Sequence, residues 1–127
     1  MKTVIKISNL KKKFRNKEVL NDVNLKIYES QSLAIIGESG SGKSVLTKCI
    51  SGLLDFDFGN IRYKDLYSLK NSNEKIKNQH ISKFGILFQN AALFDSMNIY
   101  QNITFGNKKV NILKILDSVG LNKDCLE

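Results

Sequence analysis

Apolar and polar side chains alternate from Val4 to Ile7 and again from Val23 to Tyr28 ("VNLKIY"), the period-two pattern of strands with one buried face. Ser32 to Ile36 ("SLAII") is a short continuous apolar run ending on glycine, which predicts a third strand buried on both faces. After a glycine-rich turn, Val45, Leu46, Cys49, Ile50 and Leu53 recur at helical spacing and predict a helix from about Lys43 to Leu53. Gly59 to Tyr63 reads as another short strand. The polar stretch "KNSNEKIKNQH", Lys70 to His80, reads as a solvated loop or frayed helix, with His80 an ordinary polar-loop residue. "FGILFQ", Phe84 to Gln89, is a second candidate for a buried strand. "VNILKILDSVGL" then sets Val110, Leu113, Ile115 or Leu116, and Val119 on an amphipathic helix that stops at Gly120.

Composition narrows the class. A chain of 127 residues with 42% hydrophobic content has the length of about one domain and can build a core without disulfides. Cys49 and Cys125 are far apart and have only His80 as a nitrogen co-ligand, so they read as reduced thiols rather than a zinc site or disulfide framework. Lysine interrupts each apolar run of "MKTVIKISNL", which a secretory segment does not tolerate. No stretch approaches the roughly 18 apolar residues of a membrane span. Any membrane role is therefore expected to be peripheral. The net charge of +8 is nearly all lysine scattered along the chain, which argues little for nucleic acid.

The most informative segment is "GESGSGKS": Gly37, Glu38, Ser39, Gly40, Ser41, Gly42, Lys43 and Ser44. It matches G-x-x-x-x-G-K-S/T at every fixed position, with an apolar run before it and an amphipathic helix after it. Glycines let successive backbone N–H groups curl toward phosphate oxygens, and the following helix adds its positive dipole end. Lys43 suits the β- and γ-phosphates, and the Ser44 hydroxyl suits a bridging Mg²⁺. ATP and Mg²⁺ are the expected ligands. A ligand-free glycine turn is the plainer alternative.

From here the residues resemble a family, the nucleotide-binding subunits of ABC transporters. "NLKKKF" leading to "EVLNDVNLKI" resembles its N-terminal strands, which implies an aromatic residue, Phe14, stacked on adenine. "SGLLDFDFGNI" resembles the family's G-L-x-x-P-D-x-G-x-I through Gly52, Leu53, Asp57, Gly59 and Ile61, with Phe56 where proline is usual. "FGILFQNAALFDSMNIYQNITFGN" resembles its Q-loop, which makes Gln89 the amide that ligates Mg²⁺ and orients water. The wording "LFQNAALFDSMNIYQNI" is most similar to the ATPases of bacterial MCE-type, phospholipid-trafficking transporters. The resemblance implies that Ala92, Leu93, Phe94 and Met97 offer an apolar surface to a transmembrane permease subunit, that a second ATP-binding subunit completes a dimer, and that the protein is cytoplasmic and peripheral on the inner face of the membrane. No nucleic-acid partner is implied. A GTPase is disfavoured because "NKKV" and "NKDC" both lack the aspartate of N-K-x-D.

The fold class implied is α/β: a P-loop NTPase of the ABC type with an N-terminal antiparallel β region. Residues 1–127 are expected to be the N-terminal portion of one such domain, incomplete because the C-terminal half is lacking. No L-S-G-G-Q signature occurs, "ILKILDS" fails as a Walker B strand, and His80 precedes the Q-loop rather than following it. No hydrolysis is therefore expected from this chain alone, and apolar edges are expected to be exposed. The alternatives are a non-catalytic remnant and a basic nucleic-acid module resting on "KKKFRNK", Lys11 to Lys17.

Overall fold

A computed structural model describes residues 1–64, 67–70, 72–88, 92–106 and 109–126. They fall into two compact units, Met1–Gly85 and Ile86–Glu127.

In the first unit, β1 (Thr3–Phe14) and β2 (Lys17–Tyr28) form a long antiparallel hairpin. Arg15 turns it with a φ of 52°, a positive value that suits the twist of a two-residue hairpin loop. Both strands run past the stretches of clean alternation because pairing continues through bulges, where the period-two pattern breaks. Asn9 and Asp22 sit at φ 49° and 53°, a conformation that short polar side chains tolerate. Their side chains make up for interrupted ladder bonds. The Asn9 N–H donates to Asn24 Oδ1 at 2.9 Å, and Asn9 Nδ2 donates to Asp22 Oδ1 at 2.8 Å.

β3 (Phe58–Tyr63) pairs antiparallel with β1, and the two-residue β4 (Tyr67–Ser68) pairs with β3, giving the order β2-β1-β3-β4. The antiparallel region expected from the family resemblance is therefore present. Gly59 enters β3 at φ 99°, and a Cβ there would lie 2.5 Å from the Asn9 carbonyl oxygen and 2.7 Å from the Leu10 Cα. β3 thus passes the β1 bulge closer than any side chain permits.

α1 (Lys43–Ser51) starts where the apolar spacing predicts it but ends two residues before Leu53, because Gly52 caps it in the left-handed conformation and leaves Leu53 exposed. Leu46, Cys49 and Ile50, at i, i+3 and i+4, bury one face in a cluster with Ile5, Ile7, Leu10, Leu20, Ile61 and Leu69. Burying a Leu or Ile side chain contributes about 1.5–3 kcal/mol, so this face anchors the helix. Phe56, at the position of the family's proline, also packs against the cluster.

Two expected strands do not form. Residues 32–36 have no ladder partner among the described residues, and Ile36 is 92% exposed. A continuous apolar run becomes a buried strand only when neighbours pair with both edges and cover both faces. Here only Ile35 reaches the core, and partly. Residues 84–88 likewise form no strand, and Ile86, Leu87 and Phe88 are exposed.

The segment expected to be a solvated loop or frayed helix contains a capped helix, α2 (Glu74–Ile81). Asn73 accepts the Ile76 N–H at 3.0 Å, and Glu74 complements the helix dipole. His80 is fully buried, which corrects its reading as a polar-loop residue.

The second unit holds two short helices, α3 (Ile99–Thr104) and α4 (Ile112–Ser118), and a 3₁₀ turn at Lys123–Leu126. Asn98 and Gln101 form a reciprocal capping box at the start of α3. α4 ends as the pattern predicts. Gly120, at φ 72°, donates to the Asp117 carbonyl at 3.1 Å, and Leu121 donates to that of Leu116 at 2.9 Å. Leu116 is the only buried residue among those described in this unit, so its helices rest on local bonds rather than a core.

Candidate functional site

Residues 37–42 form a loop that ends at the first turn of α1. Its Ser41 N–H donates to the Glu38 carbonyl at 3.2 Å, closing a turn. The glycines contribute differently. Gly40, at φ 78°, faces open space, so only its backbone conformation calls for glycine. Gly42, at φ 94°, lies on β2, and a Cβ there would be 2.9 Å from the Val19 carbonyl oxygen and 3.3 Å from Leu20 Cδ2. A Cβ at Gly37 would meet the movable Ser41 Oγ at 2.9 Å.

Lys43 folds back over this loop. Its Nζ donates to the Gly37 carbonyl at 2.8 Å and the Glu38 carbonyl at 2.6 Å, and approaches Ser41 Oγ at 3.4 Å. Gly42 is the N-cap of α1 and offers no side-chain cap, and the first turn contains no acidic residue. The leading N–H groups of a helix have no partner within it, so this end presents donors and a positive dipole to an anion. Ser44 is exposed in the same turn, while Lys48 complements the opposite end. The whole arrangement sits on β2 because the buried face of α1 fixes the helix on the sheet.

Phe14 closes β1 at the hairpin tip and is 44% exposed, with Lys12 Nζ 5.3 Å from its ring centroid. Leu20, under Gly42, pairs with Lys12, and Phe14 lies two residues further along the same strand, about 7 Å away at the rise of a strand. An aromatic face is thus available on the hairpin that supports the loop.

Lys12 is also held by Asp57. The Asp57 carboxylate takes Lys12 Nζ at 3.1 Å and the Lys13 N–H at 2.6 Å, and the Asp57 N–H donates to the Lys11 carbonyl at 3.0 Å. The Lys13 amide and the Lys12 ammonium hold the carboxyl below its ordinary range, against the opposing effect of burial. This stapling ties the entry of β3 to β1 and engages part of the basic "KKKFRNK" run in the fold. Cys49, beneath the site on α1, is fully buried, and burial pushes its thiol up to about 11 despite nearby Lys12, with Asp57 and Asp55 adding to the rise. It is an inert packing group.

In the second unit, Ala92, Leu93 and Phe94 are exposed and Met97 is half-buried. Asn102, which the sequence reading passed over, organises their loop. Its Oδ1 accepts the Phe94 N–H at 2.9 Å, and its Nδ2 lies 3.2, 2.9 and 3.1 Å from the carbonyls of Phe94, Met97 and Asn98. The Phe94 and Phe105 rings pack with centroids 4.6 Å apart. The capping signature N-x-x-Q at Asn98 was the available signal for an ordered loop end here. Gln89 lies outside the described residues. The structure therefore gathers Gly37 to Ser44 and Phe14 on one unit and Ala92 to Met97 on the other. Asp57 and Gly59, marked in the sequence only by the family resemblance, and His80, marked by nothing, shape the first through partners distant in the chain.

Comparison with known proteins shows a family. The family model described as "ABC transporter" matches residues 20–126. The phosphonates import ATP-binding protein of Fusobacterium nucleatum is 33% identical over 118 residues, covering 91% of this chain and 47% of that protein. The methionine import ATP-binding protein of Campylobacter jejuni is 38% identical over 102 residues, 79% of this chain and 30% of that one. The sulfate/thiosulfate import ATP-binding protein of Nitrosomonas europaea is 40% identical over 103 residues, 80% and 26% respectively. The chain thus spans about half of the first of these relatives and less than a third of the other two.

Proposed function

The chain belongs to the ABC transporter family, and from that premise we propose that it is the nucleotide-holding part of a bacterial transporter's ATP-binding subunit, taking Mg-ATP at Gly37 to Ser44. The observation that carries this reading is the position of Lys43. Its ammonium already bridges the carbonyls of Gly37 and Glu38, so the loop is closed around a cation at the helix N-terminus. Phosphate oxygens offer that ammonium charge-assisted bonds stronger than those to neutral carbonyls. The N–H groups at the start of α1 add donors along the same direction.

The donor set fits a magnesium ion that arrives with the nucleotide. Among the described residues there is no cluster of three or more His, Cys, Asp or Glu side chains, whereas the exposed Ser44 hydroxyl is a hard oxygen ligand. Ser44 would hold the ion, and the family resemblance assigns Gln89 the role of a second ligand. When bound, the ion neutralises and orients the phosphates. Phe14 would give the adenine an aromatic face at the hairpin tip. The proposal concerns binding, since the sequence contains no apolar strand ending in Asp-Glu to supply a general base.

Ala92, Leu93, Phe94 and Met97 are proposed as the contact with a transmembrane permease subunit, and a second ATP-binding subunit as the dimer partner. Exposed apolar side chains on a loop pinned by Asn102 support that role. Among the described residues no helix is long and apolar enough to cross a membrane, which suits a peripheral attachment through such a partner. The cargo proposed is phospholipid, supported by the wording "LFQNAALFDSMNIYQNI". The names of the relatives favour uptake of a small solute as the alternative.

Mg-ATP binding, followed by calorimetry on the chain and on Lys43→Ala, tests the central claim. Loss of binding in the variant is expected, and equal binding by both sinks it.

A further inference from the structure

α1 is clamped at both ends. At its start, Gly42 rests on Val19 and Leu20 of β2. At its finish, His80 Nε2 donates to the Ile50 carbonyl at 2.7 Å, from a ring with no exposed surface. The carbonyls of a last helical turn have no partner within the helix, so this bond supplies one from outside. Gly52, at φ 81°, turns the chain away so tightly that a Cβ there would lie 3.1 Å from His80 Cδ2. The ring is fixed in turn by Phe84, at 4.8 Å between centroids, and by the edge-on Tyr63 at 5.8 Å.

We propose that His80 is a positioning residue for the phosphate loop: by holding the C-terminal end of α1, it sets where the N-terminal end presents Lys43 and the loop amides. A helix of nine residues is a rod about 13 Å long, so displacement at one end reaches the other. The inference rests on the nucleotide-binding reading of Gly37 to Ser44, which supplies the ligand that the positioning serves.

A carbonyl accepts only, so Nε2 carries the hydrogen and the neutral ring suffices for the bond. Tyr63 packs edge-on against the ring, and the Lys83 charge acts on it. The Lys83 and Lys64 ammoniums stand 4.7 and 5.9 Å from the Tyr63 centroid. A charged His80 would be a third cation about that ring, and it would be a buried one.

The test compares the chain with His80→Leu, which removes the donor, and His80→Gln, whose amide restores one. Hydrogen exchange and Mg-ATP binding are measured at one pH, with circular dichroism as the check on folding. In His80→Leu, faster exchange at residues 37–46 and roughly two- to tenfold weaker binding are expected, the span of one lost hydrogen bond. His80→Gln is expected to recover both. Faster exchange confined to residues 49–52 and 74–84, with 37–46 unchanged, overturns the proposal. If His80→Leu does not fold, Phe84→Leu, which removes the ring packed against His80 at 4.8 Å between centroids, takes its place and is read by the same two outcomes. Failure of the unaltered chain to bind Mg-ATP sinks the nucleotide reading instead, and exchange at 37–46 then decides the role of His80.

Discussion

His80 Nε2 and the Ile50 carbonyl oxygen lie 2.7 Å apart, a buried hydrogen bond that joins α2 to the end of α1. Burial lowers the imidazole pKa below its ordinary 6.5, and Lys83 adds to the fall, although the bond to Ile50 opposes both. The unfolded chain therefore takes up a proton more readily than the folded one. Stability from this group is complete above about pH 6.5 and is lost as pH falls toward the lower folded value. Urea midpoints are expected to drop between about pH 7.5 and about pH 5.5 in the chain, and to drop less in His80→Gln, which has no imidazole. His80→Leu should cost about 1–3 kcal/mol even at the higher pH, since Ile50 keeps an unsatisfied carbonyl.

Asp57 has the opposite chemistry and the same sign. The Lys13 amide and Lys12 hold its pKa below the ordinary 3.8, so its contribution is present above about pH 3.8 and disappears as pH falls through the folded value. Because the side chain is 49% exposed, the ion pair is well screened. Asp57→Asn should cost about 0.5–1 kcal/mol near neutrality. The gap between variant and parent should close in acid, as measured by denaturant titration across that range.

Glycine positions should rank by what surrounds them. Gly59→Ala places a methyl 2.5 Å from the Asn9 carbonyl oxygen at φ 99°, so β3 must part from β1. A loss of about 3 kcal/mol or more is expected, at the severe end for a single substitution. Gly40→Ala, at φ 78° in open space, should cost about 1 kcal/mol for its backbone alone. Urea unfolding of both variants checks the order, and a reversed ranking refutes the close approach of the two strands.

The cysteines should differ sharply toward a thiol reagent. Cys49 is fully buried with its pKa pushed up to about 11, whereas Cys125 is partly exposed. One thiol per chain is expected to react under native conditions and a second only in denaturant. Rapid native labelling of Cys49 would contradict its place beneath the sheet.

Phe14 offers a direct check of the proposed adenine contact. Phe14→Ala should weaken Mg-ATP by roughly 5- to 150-fold, matching the roughly 1–3 kcal/mol that base–aromatic stacking contributes, while Phe14→Tyr should keep most of it. Binding of inorganic triphosphate, which has no base, should be the same in all three.

The loop proposed to cradle phosphate was legible in the chain because it is a local device. Gly37 to Ser44 are contiguous, glycine sets their backbone, and Leu46, Cys49 and Ile50 announce the helix that follows. The stop of α4 at Gly120 and parts of β1 and β2 were legible for the same reason, since caps and alternation act over a few residues, whereas the antiparallel region was expected only from the family resemblance. Tertiary structure alone decided the rest. No local pattern distinguishes the His80 buried against Ile50 from a histidine in a solvated loop, because the carbonyl it meets lies 30 residues away. Gly59 is required by the path of Asn9 and Leu10, on a strand far back in the sequence. The apolar runs at 32–36 and 84–88 show the converse. Their composition encodes burial, but a strand also needs neighbours for its backbone and faces, and none of the described strands supplies them.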